Sequence, residues 1–270
     1  MNYKNFKEDL EILQSAYEGW GCAQIALRYM NAMRNSEKRS LLDRVFTPSS
    51  PITSIDFFVG RINKIEKVRD TIVTAGQHAV LYGERGVGKT SLANFIRLSF
   101  SRNIPTIKVT CNASDTLETL WNKVFKEIEK RIREAWPEKN YEPTSFCESD
   151  DNKFNLDEVV EAIEKLGMPM LLILDEYDNI KSPIIKHKIA DIIKTLSDNI
   201  QFVTLMLVGV AENVTELIEY HESNSRCLKQ IKLERMDHAE LKEILDSRLK
   251  KLEITISKSV EDDIISYSQG

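Results

Sequence analysis

The sequence predicts an α/β fold in which a five-stranded parallel sheet lies between layers of helices. Three observations lead there. Five short apolar runs recur along the chain, separated by segments with helical spacing. Two of the runs, MLLILDE (170–176) and FVTLMLVGV (202–210), are apolar on both faces, as strands covered on both sides must be. Strands that alternate with helices pair in parallel, because each helix carries the chain back across one face of the sheet.

The elements follow in order. Residues 1 to about 45 read as helical, since Phe6, Leu10, Leu13 and Tyr17 recur at helical spacing, as do Ile25, Tyr29 and Met33. EGWG (18–21) divides this segment into two helices, and FTPSSPIT (46–53) is a connector that marks a boundary. HAVLYG (78–83) is the first strand, and the helix 91–100 comes after its glycine-rich turn. PTIKVTC (105–111) alternates apolar and polar residues and is the second strand. A long helix over 116–136 carries Leu117, Leu120, Trp121, Val124, Phe125, Ile128 and Ile132 on one face, which makes Trp121 a core residue. The polar, acidic stretch 137–155 reads as a mobile surface loop. MLLILDE and FVTLMLVGV are the third and fourth strands, and KQIKL (229–233) is the fifth. Asp237 opens a helix with Glu240 in the capping-box position, backed by Leu241, Ile244, Leu245, Leu249 and Leu252. A last helix begins near Ser257, and the chain ends at SYSQG, close to that helix's end. The expected domains are a helical segment over 1–50, the α/β domain over 51–235, and the truncated start of a small helical domain over 236–270.

Composition narrows the function classes. The 270 residues are 42% hydrophobic and 29% charged, enough for one large core and a satellite. A net charge of -5 argues against coating nucleic acid by bulk charge, and leaves a local patch open. KSPIIKHK (181–188) is one such basic patch, readable as a nucleic-acid contact or as a solvated helix start. Cys22, Cys111, Cys147 and Cys227 form no CxxC pair, which disfavours zinc and disulfide frameworks and fits a reduced, cytoplasmic setting. His78, His187, His221 and His238 share no metal-ligand spacing. MNYKNFKEDLEIL (1–13) mixes charges among apolar residues and is no signal peptide. No apolar run is long enough to span a bilayer as a helix, so no membrane partner is expected.

LYGERGVGKTSLANF (81–95) carries the chemistry. Gly83, Gly88, Lys89 and Thr90 form G-x-x-x-x-G-K-T between an apolar strand and a helix. Backbone N–H groups can wrap a phosphate only if the chain turns tightly with no side chain in the way, and Gly83, Gly86 and Gly88 supply that freedom. Glu84, Arg85, Val87 and Ser91 complete the expected phosphate-binding segment. Lys89 brings charge to the outer phosphates, the Thr90 hydroxyl suits Mg²⁺, and the helix turns its positive end to the anion. Asp175 and Glu176 end the third strand. Beside such a loop, Asp175 would hold Mg²⁺ and Glu176 would orient or deprotonate the attacking water.

These segments, with FFVGR (57–61), LMLVGVAEN (205–213) and SNSRCLKQIKL (223–233), resemble successive motifs of AAA+ P-loop ATPases. The resemblance runs from about residue 55 to the end. It is to the origin-recognition and archaeal-ATPase branch, near the STAND signalling ATPases. It implies a P-loop NTPase fold with a helical lid, ATP and Mg²⁺ as cofactors, and ATP hydrolysis to ADP and phosphate. It also implies that Phe58, Val59, Gly60 and Arg61 line the adenine pocket. VGVAEN matches the sensor 1 region, with Asn213 as the candidate and a helix N-cap as its other reading. Glu212 departs there from the simplest pattern. Arg226 matches the position of an arginine finger acting on a neighbouring subunit, its other reading being a surface arginine. Homo-oligomers are therefore expected, with ATP and a possible effector protein as partners. Adenine over guanine rests on the resemblance, and no Asn-Lys-x-Asp segment follows the last strands.

Three functions remain open on the sequence. One is a switch in bacterial defence or signalling, where ATP drives assembly of a larger complex. The second is a DNA-transaction ATPase, an initiator or transposition helper. The third is a nucleotide-gated scaffold with negligible turnover, which the second carboxylate, Glu176, argues against.

Overall fold

The five apolar runs form one parallel sheet in a computed structural model that describes residues 60–135, 155–218, 226–252 and 254–268. The strands are β1 (His78–Gly83), β2 (Thr106–Thr110), β3 (Met170–Asp175), β4 (Val203–Val210) and β5 (Leu228–Lys232). Their spatial order is β2-β3-β4-β1-β5. From β1 the chain goes to the far edge, returns through β3 and β4, and crosses β1 to place β5 on its other side. The helices are α1 (Ile62–Val73), α2 (Lys89–Phe100), α3 (Leu117–Ala135), α4 (Leu156–Leu166), α5 (Pro183–Asn199), α6 (His238–Leu252) and α7 (Lys258–Tyr267). The expected helical segment 1–50 and nearly all of the acidic stretch 137–155 lie outside the described residues.

By contacts the chain divides into Met1–Pro48 with Arg248–Thr255, and Ser49–Ser247 with Ile256–Gly270. In the first unit the Ile254 N–H bonds back to the Leu249 carbonyl at 3.1 Å. The second unit carries the sheet and every described residue of the candidate site.

The alternation of strand side chains sorts them onto two cores. Val80, Ile107, Val109, Leu172, Leu174, Leu205 and Leu207 pack with α3, α4 and α5, where Trp121, Ile163 and Ile193 are fully buried. Leu81, Leu171, Ile173, Met206, Val208 and Ile231 pack with α1 and α2 through Val68, Leu92 and Ile96. Both faces of β3 and β4 are covered, which is why their sequences show no polar alternation.

The helix ends follow their caps. Asp237 and Glu240 form the reciprocal capping box, with the Glu240 N–H donating to Asp237 Oδ1 at 2.8 Å and the Asp237 N–H donating to Glu240 Oε2 at 3.3 Å. Ser257 caps α7 by accepting from the Val260 N–H. The basic segment 181–188 is a helix start: Ser182 caps α5, Pro183 is its first residue, and Lys181 and Lys186 donate to the carbonyls of Asp178 and Glu216. Helix α2 starts at Lys89, two residues before the expected 91, because Gly88 already serves as its left-handed N-cap at φ 89.

His78 opens β1 with no accessible surface, and its Nδ1 accepts from the Leu205 N–H of β4 at 2.9 Å. Burial pushes its pKa down to about 4, with the Ile193 carbonyl pulling the other way. An unfolded chain protonates this ring near pH 6.5 while the folded one resists, so stability falls as pH drops from 6.5 towards 4. The expected loss is about 3 kcal/mol over that window. Denaturant unfolding at pH 7 and pH 5 checks this: His78→Asn keeps an acceptor for Leu205 and removes this part of the slope.

Candidate functional site

The loop 84–88 leaves the C-terminal end of β1 and turns directly into α2. Gly83 has no room for a side chain, since a Cβ there would lie 2.1 Å from the Leu233 carbonyl oxygen. That contact comes from the exit of β5, whose Leu233 N–H donates to the Tyr82 carbonyl at 2.7 Å. Gly86 and Gly88 have φ of 87° and 89°, and nothing lies within 4 Å of where their Cβ atoms would be. The backbone therefore forms an open, left-handed cradle at the N-terminus of α2, the arrangement that receives phosphate.

Lys89 is buried and arches back over the loop. Its ammonium donates to the carbonyls of Gly83 at 2.9 Å and Glu84 at 2.5 Å. Burial lowers its pKa, opposed by the negative charges of Asp178 and Asp175. Glu84 and Arg85 are exposed, whereas Val87 is buried in the α1–α2 core. Ser91 follows in the first turn of α2.

Asp175 ends β3 with 2% of its surface exposed. The Thr90 hydroxyl lies 3.4 Å from its Oδ1, a contact that joins residues 85 apart in sequence. The same oxygen accepts from the Glu176 N–H at 3.0 Å, and Oδ2 pairs with Lys108 of β2 at 2.8 Å. Glu176 leaves the strand in a left-handed conformation, φ 55, which turns the chain into a short 3₁₀ turn, Tyr177–Asn179. Its Oε2 accepts from Asn179 Nδ2 at 3.2 Å, and the same amide donates to the Cys111 carbonyl at 3.1 Å. Asp178 Oδ1 accepts from the Val210 N–H at 2.9 Å, which ties this turn to the end of β4. Among the described residues only Arg61 and Glu176 are non-glycines with positive φ, and both adjoin this site. Such conformations cost about 1–3 kcal/mol and persist where the surroundings enforce them.

Arg61 is buried at the N-terminus of α1. Its Nη2 lies 3.5 Å from the Val87 carbonyl and its Nε 3.8 Å from Glu240 of α6. Burial lowers its pKa against the pull of Glu240, Asp237 and Glu234. Arg235 Nε donates to Glu84 Oε2 at 3.0 Å. Gly60 stands beside Glu240, while Phe58 and Val59 lie outside the described residues. Sequence reasoning missed Lys108, Asn179 and Arg235. No signal for them was visible, because each acts across strands or turns whose neighbours only the fold reveals.

Asn213 follows β4, and its amide is engaged in its own turn, donating to Glu216 Oε1 at 2.8 Å and accepting from the Thr215 hydroxyl. It flanks the 3₁₀ turn Val214–Glu216 without a side-chain cap bond. Arg226 stands at the opposite end of the sheet from the loop. Its carbonyl accepts from Gln77 at 2.7 Å beside the start of β1, and its guanidinium pairs with Asp198 at 3.2 Å. That guanidinium is exposed.

The residues fit the groups that the motif implies. The empty space at Gly86 and Gly88, with the helix N-terminus behind it, suits phosphate oxygens. Thr90 and Asp175 present hard oxygen donors to one point, as Mg²⁺ requires. Among the described residues no cluster of three His, Cys, Asp or Glu side chains offers another metal site, and no helix is long and apolar enough to cross a membrane.

No curated protein matches the sequence. Solved structures match the fold. A Walker-type ATPase of Pyrococcus abyssi is similar with a TM-score of 0.61 at 19% identity, over 81% of this chain and 65% of that one. The ORC1 protein of Aeropyrum pernix, in complex with DNA, gives 0.52 at 17% identity over 77% and 53%. The replication initiator DnaA, bound to AMPPCP and single-stranded DNA, gives 0.50 at 16% identity over 82% and 61%. The chain thus spans less than two thirds of the length of each. The family model described as AAA domain matches residues 73–218, from the end of α1 to beyond β4 and across more than half of the chain. With that match, and with a glycine-rich loop, a Thr90–Asp175 contact and a parallel sheet that agree with it, the chain belongs to the AAA domain family.

Proposed function

We propose that this protein binds ATP with Mg²⁺ and hydrolyses it to ADP and phosphate, using the cycle to assemble or switch a larger complex. The observation that carries the reading is the 3.4 Å approach of Thr90 to Asp175, which joins the phosphate-binding loop to the acidic end of β3. The loop N–H groups of 84–88 and the N-terminus of α2 hold the phosphates, and Lys89 neutralises the outer ones. Thr90 and Asp175 would hold Mg²⁺, which when bound offsets the charge that develops on the transferred phosphoryl group. Glu176, exposed and steadied by Asn179, orients the attacking water and takes its proton. Asn213 is the candidate to contact the terminal phosphate from the end of β4. Phe58 and Val59, with Gly60 and Arg61, would line the adenine pocket.

Arg226 lies a full strand away from its own loop and serves a neighbour's nucleotide in this reading, so the active form is a homo-oligomer. The ATPase rate per subunit should then rise with protein concentration. Arg226→Ala should hold the rate at the level of isolated subunits and leave ATP binding intact. Mixing Arg226→Ala with Lys89→Ala subunits should restore part of the activity. Phosphate release measured from nanomolar to high micromolar protein checks this. A flat wild-type rate in a chain that stays monomeric with ATP removes the finger role.

The complex so driven belongs, in our reading, to bacterial defence or signalling. The DNA-transaction alternative draws on the fold shared with the DNA-bound ORC1 protein and DnaA. ATP-dependent binding of a labelled duplex or single strand by the full chain favours that alternative.

A further inference from the structure

We propose that Lys108 is a positioning residue that fixes the carboxylate of Asp175 and thereby sets how tightly the site holds a divalent cation. The inference rests on the Mg²⁺-ATP reading above and extends it to a residue outside the loop.

Strand β2 is an edge strand, and its alternation sends Ile107 and Val109 into the α3–α5 core. Lys108 has the opposite parity and shares the α2 face of the sheet with Leu171, Ile173 and Asp175 of β3. In the parallel register Lys108 stands opposite Ile173, and Thr110 opposite Asp175. The lysine is thus two residues short of the aspartate, and its four-carbon stem runs along the strand to close the gap. Its ammonium reaches Asp175 Oδ2 at 2.8 Å, with side-chain exposures of 15% and 3%. Among the described residues it is the only cation paired with Asp175.

The two carboxylate oxygens therefore have separate duties. Oδ2 is held by Lys108, while Oδ1 takes the Glu176 N–H and faces the Thr90 hydroxyl. Lys108 leaves Asp175 one oxygen to present beside Thr90 and locks the side chain so that this oxygen points there. Stability is a poor reason for a lysine at this place. Desolvating two charges offsets most of their attraction, and an apolar residue usually serves a fold as well. Partners that orient a metal-binding side chain, by contrast, are worth 10–100-fold in metal affinity.

The test uses the full chain, with Mn²⁺ as the probe and AMPPCP as the nucleotide. Electron paramagnetic resonance reads free Mn²⁺, and calorimetry in EDTA reads metal-free AMPPCP binding. Lys108 also lines a cleft of about 440 Å³ between α2 and α3, so substitutions there have room. Lys108→Met should weaken Mn²⁺ binding by about 10-fold or more while changing metal-free AMPPCP binding less than about twofold. Lys108→Arg keeps the charge and donors and should stay within roughly threefold of the wild type. In an Asp175→Asn background, Lys108→Met should have no further effect, because the group it positions is already altered. Equal or tighter Mn²⁺ binding by Lys108→Met overturns the proposal, as does an equal loss with and without metal. Should Lys108→Met fail to fold, Lys108→Gln carries the same comparison. A wild-type chain that binds AMPPCP but no Mn²⁺ overturns both the proposal and the Mg²⁺ reading beneath it. A wild type that binds Mn²⁺ while Lys108→Met matches it overturns the proposal alone.

Discussion

Glu176→Gln is expected to lower ATP turnover by about 10²-fold or more and to leave ATP binding within about twofold of the wild type. The glutamine keeps the side-chain length and still presents an oxygen to Asn179 Nδ2, so the left-handed turn at φ 55 need not move. What it loses is the ability to take a proton from water. Glu176 is exposed, and its Asn179 partner is itself tied to the Cys111 carbonyl, so the carboxylate is held in place without being sealed from solvent. Single-turnover phosphate release, with a fluorescent ATP analogue to follow binding, separates the two effects. Turnover at the wild-type rate would show that another group handles the water.

Lys89→Ala should weaken ATP binding by roughly 10²-fold, the scale of losing a charge-assisted contact made by a buried ammonium. An ammonium has three donors, and two are committed to the Gly83 and Glu84 carbonyls. The lysine thus braces the loop from inside, and the proposed function gives its third donor to phosphate. Alanine removes both services. Calorimetry with Mg²⁺-ATP reads the affinity, and a thermal melt without nucleotide reads the bracing, which should cost the fold far less than the affinity. Equal affinity in the two proteins would sink the assignment of this loop.

Much of this was legible in the residues because local rules agree with the fold. The strands β1, β3 and β4 announced themselves by unbroken apolar runs, and the structure covers both of their faces. Asp237 with Glu240 and Ser257 marked helix starts that the hydrogen bonds reproduce. The turn of the glycine-rich loop was legible because its glycines answer to backbone geometry, at φ of 87° for Gly86 and 89° for Gly88. The sheet order was not, since nothing in KQIKL says that β5 pairs with β1 rather than with β2. The same holds for Lys108 and for the partners of Arg61, a residue that the sequence places only at the adenine pocket. Lys108 reaches Asp175 diagonally across a register that only pairing defines, and Arg61 bridges Val87 and Glu240 from a third segment. Glu240, legible in the sequence only as a cap, serves both the cap and Arg61.

The placement of Arg226 beside Gln77, with the loop at the other end of the six-residue strand β1, has a consequence for stoichiometry. Six strand residues span about 20 Å, far beyond the reach of one arginine side chain. If Arg226 completes a neighbour's site, each subunit gives at one end of its sheet and receives at the other, a head-to-tail relation. A closed ring then has as many complete sites as subunits. An open filament has one fewer, because the subunit at one end holds a nucleotide that no arginine reaches while the subunit at the other extends an arginine to nothing. Hydrolysis per subunit would therefore report the length of an open assembly and become independent of size once the ring closes.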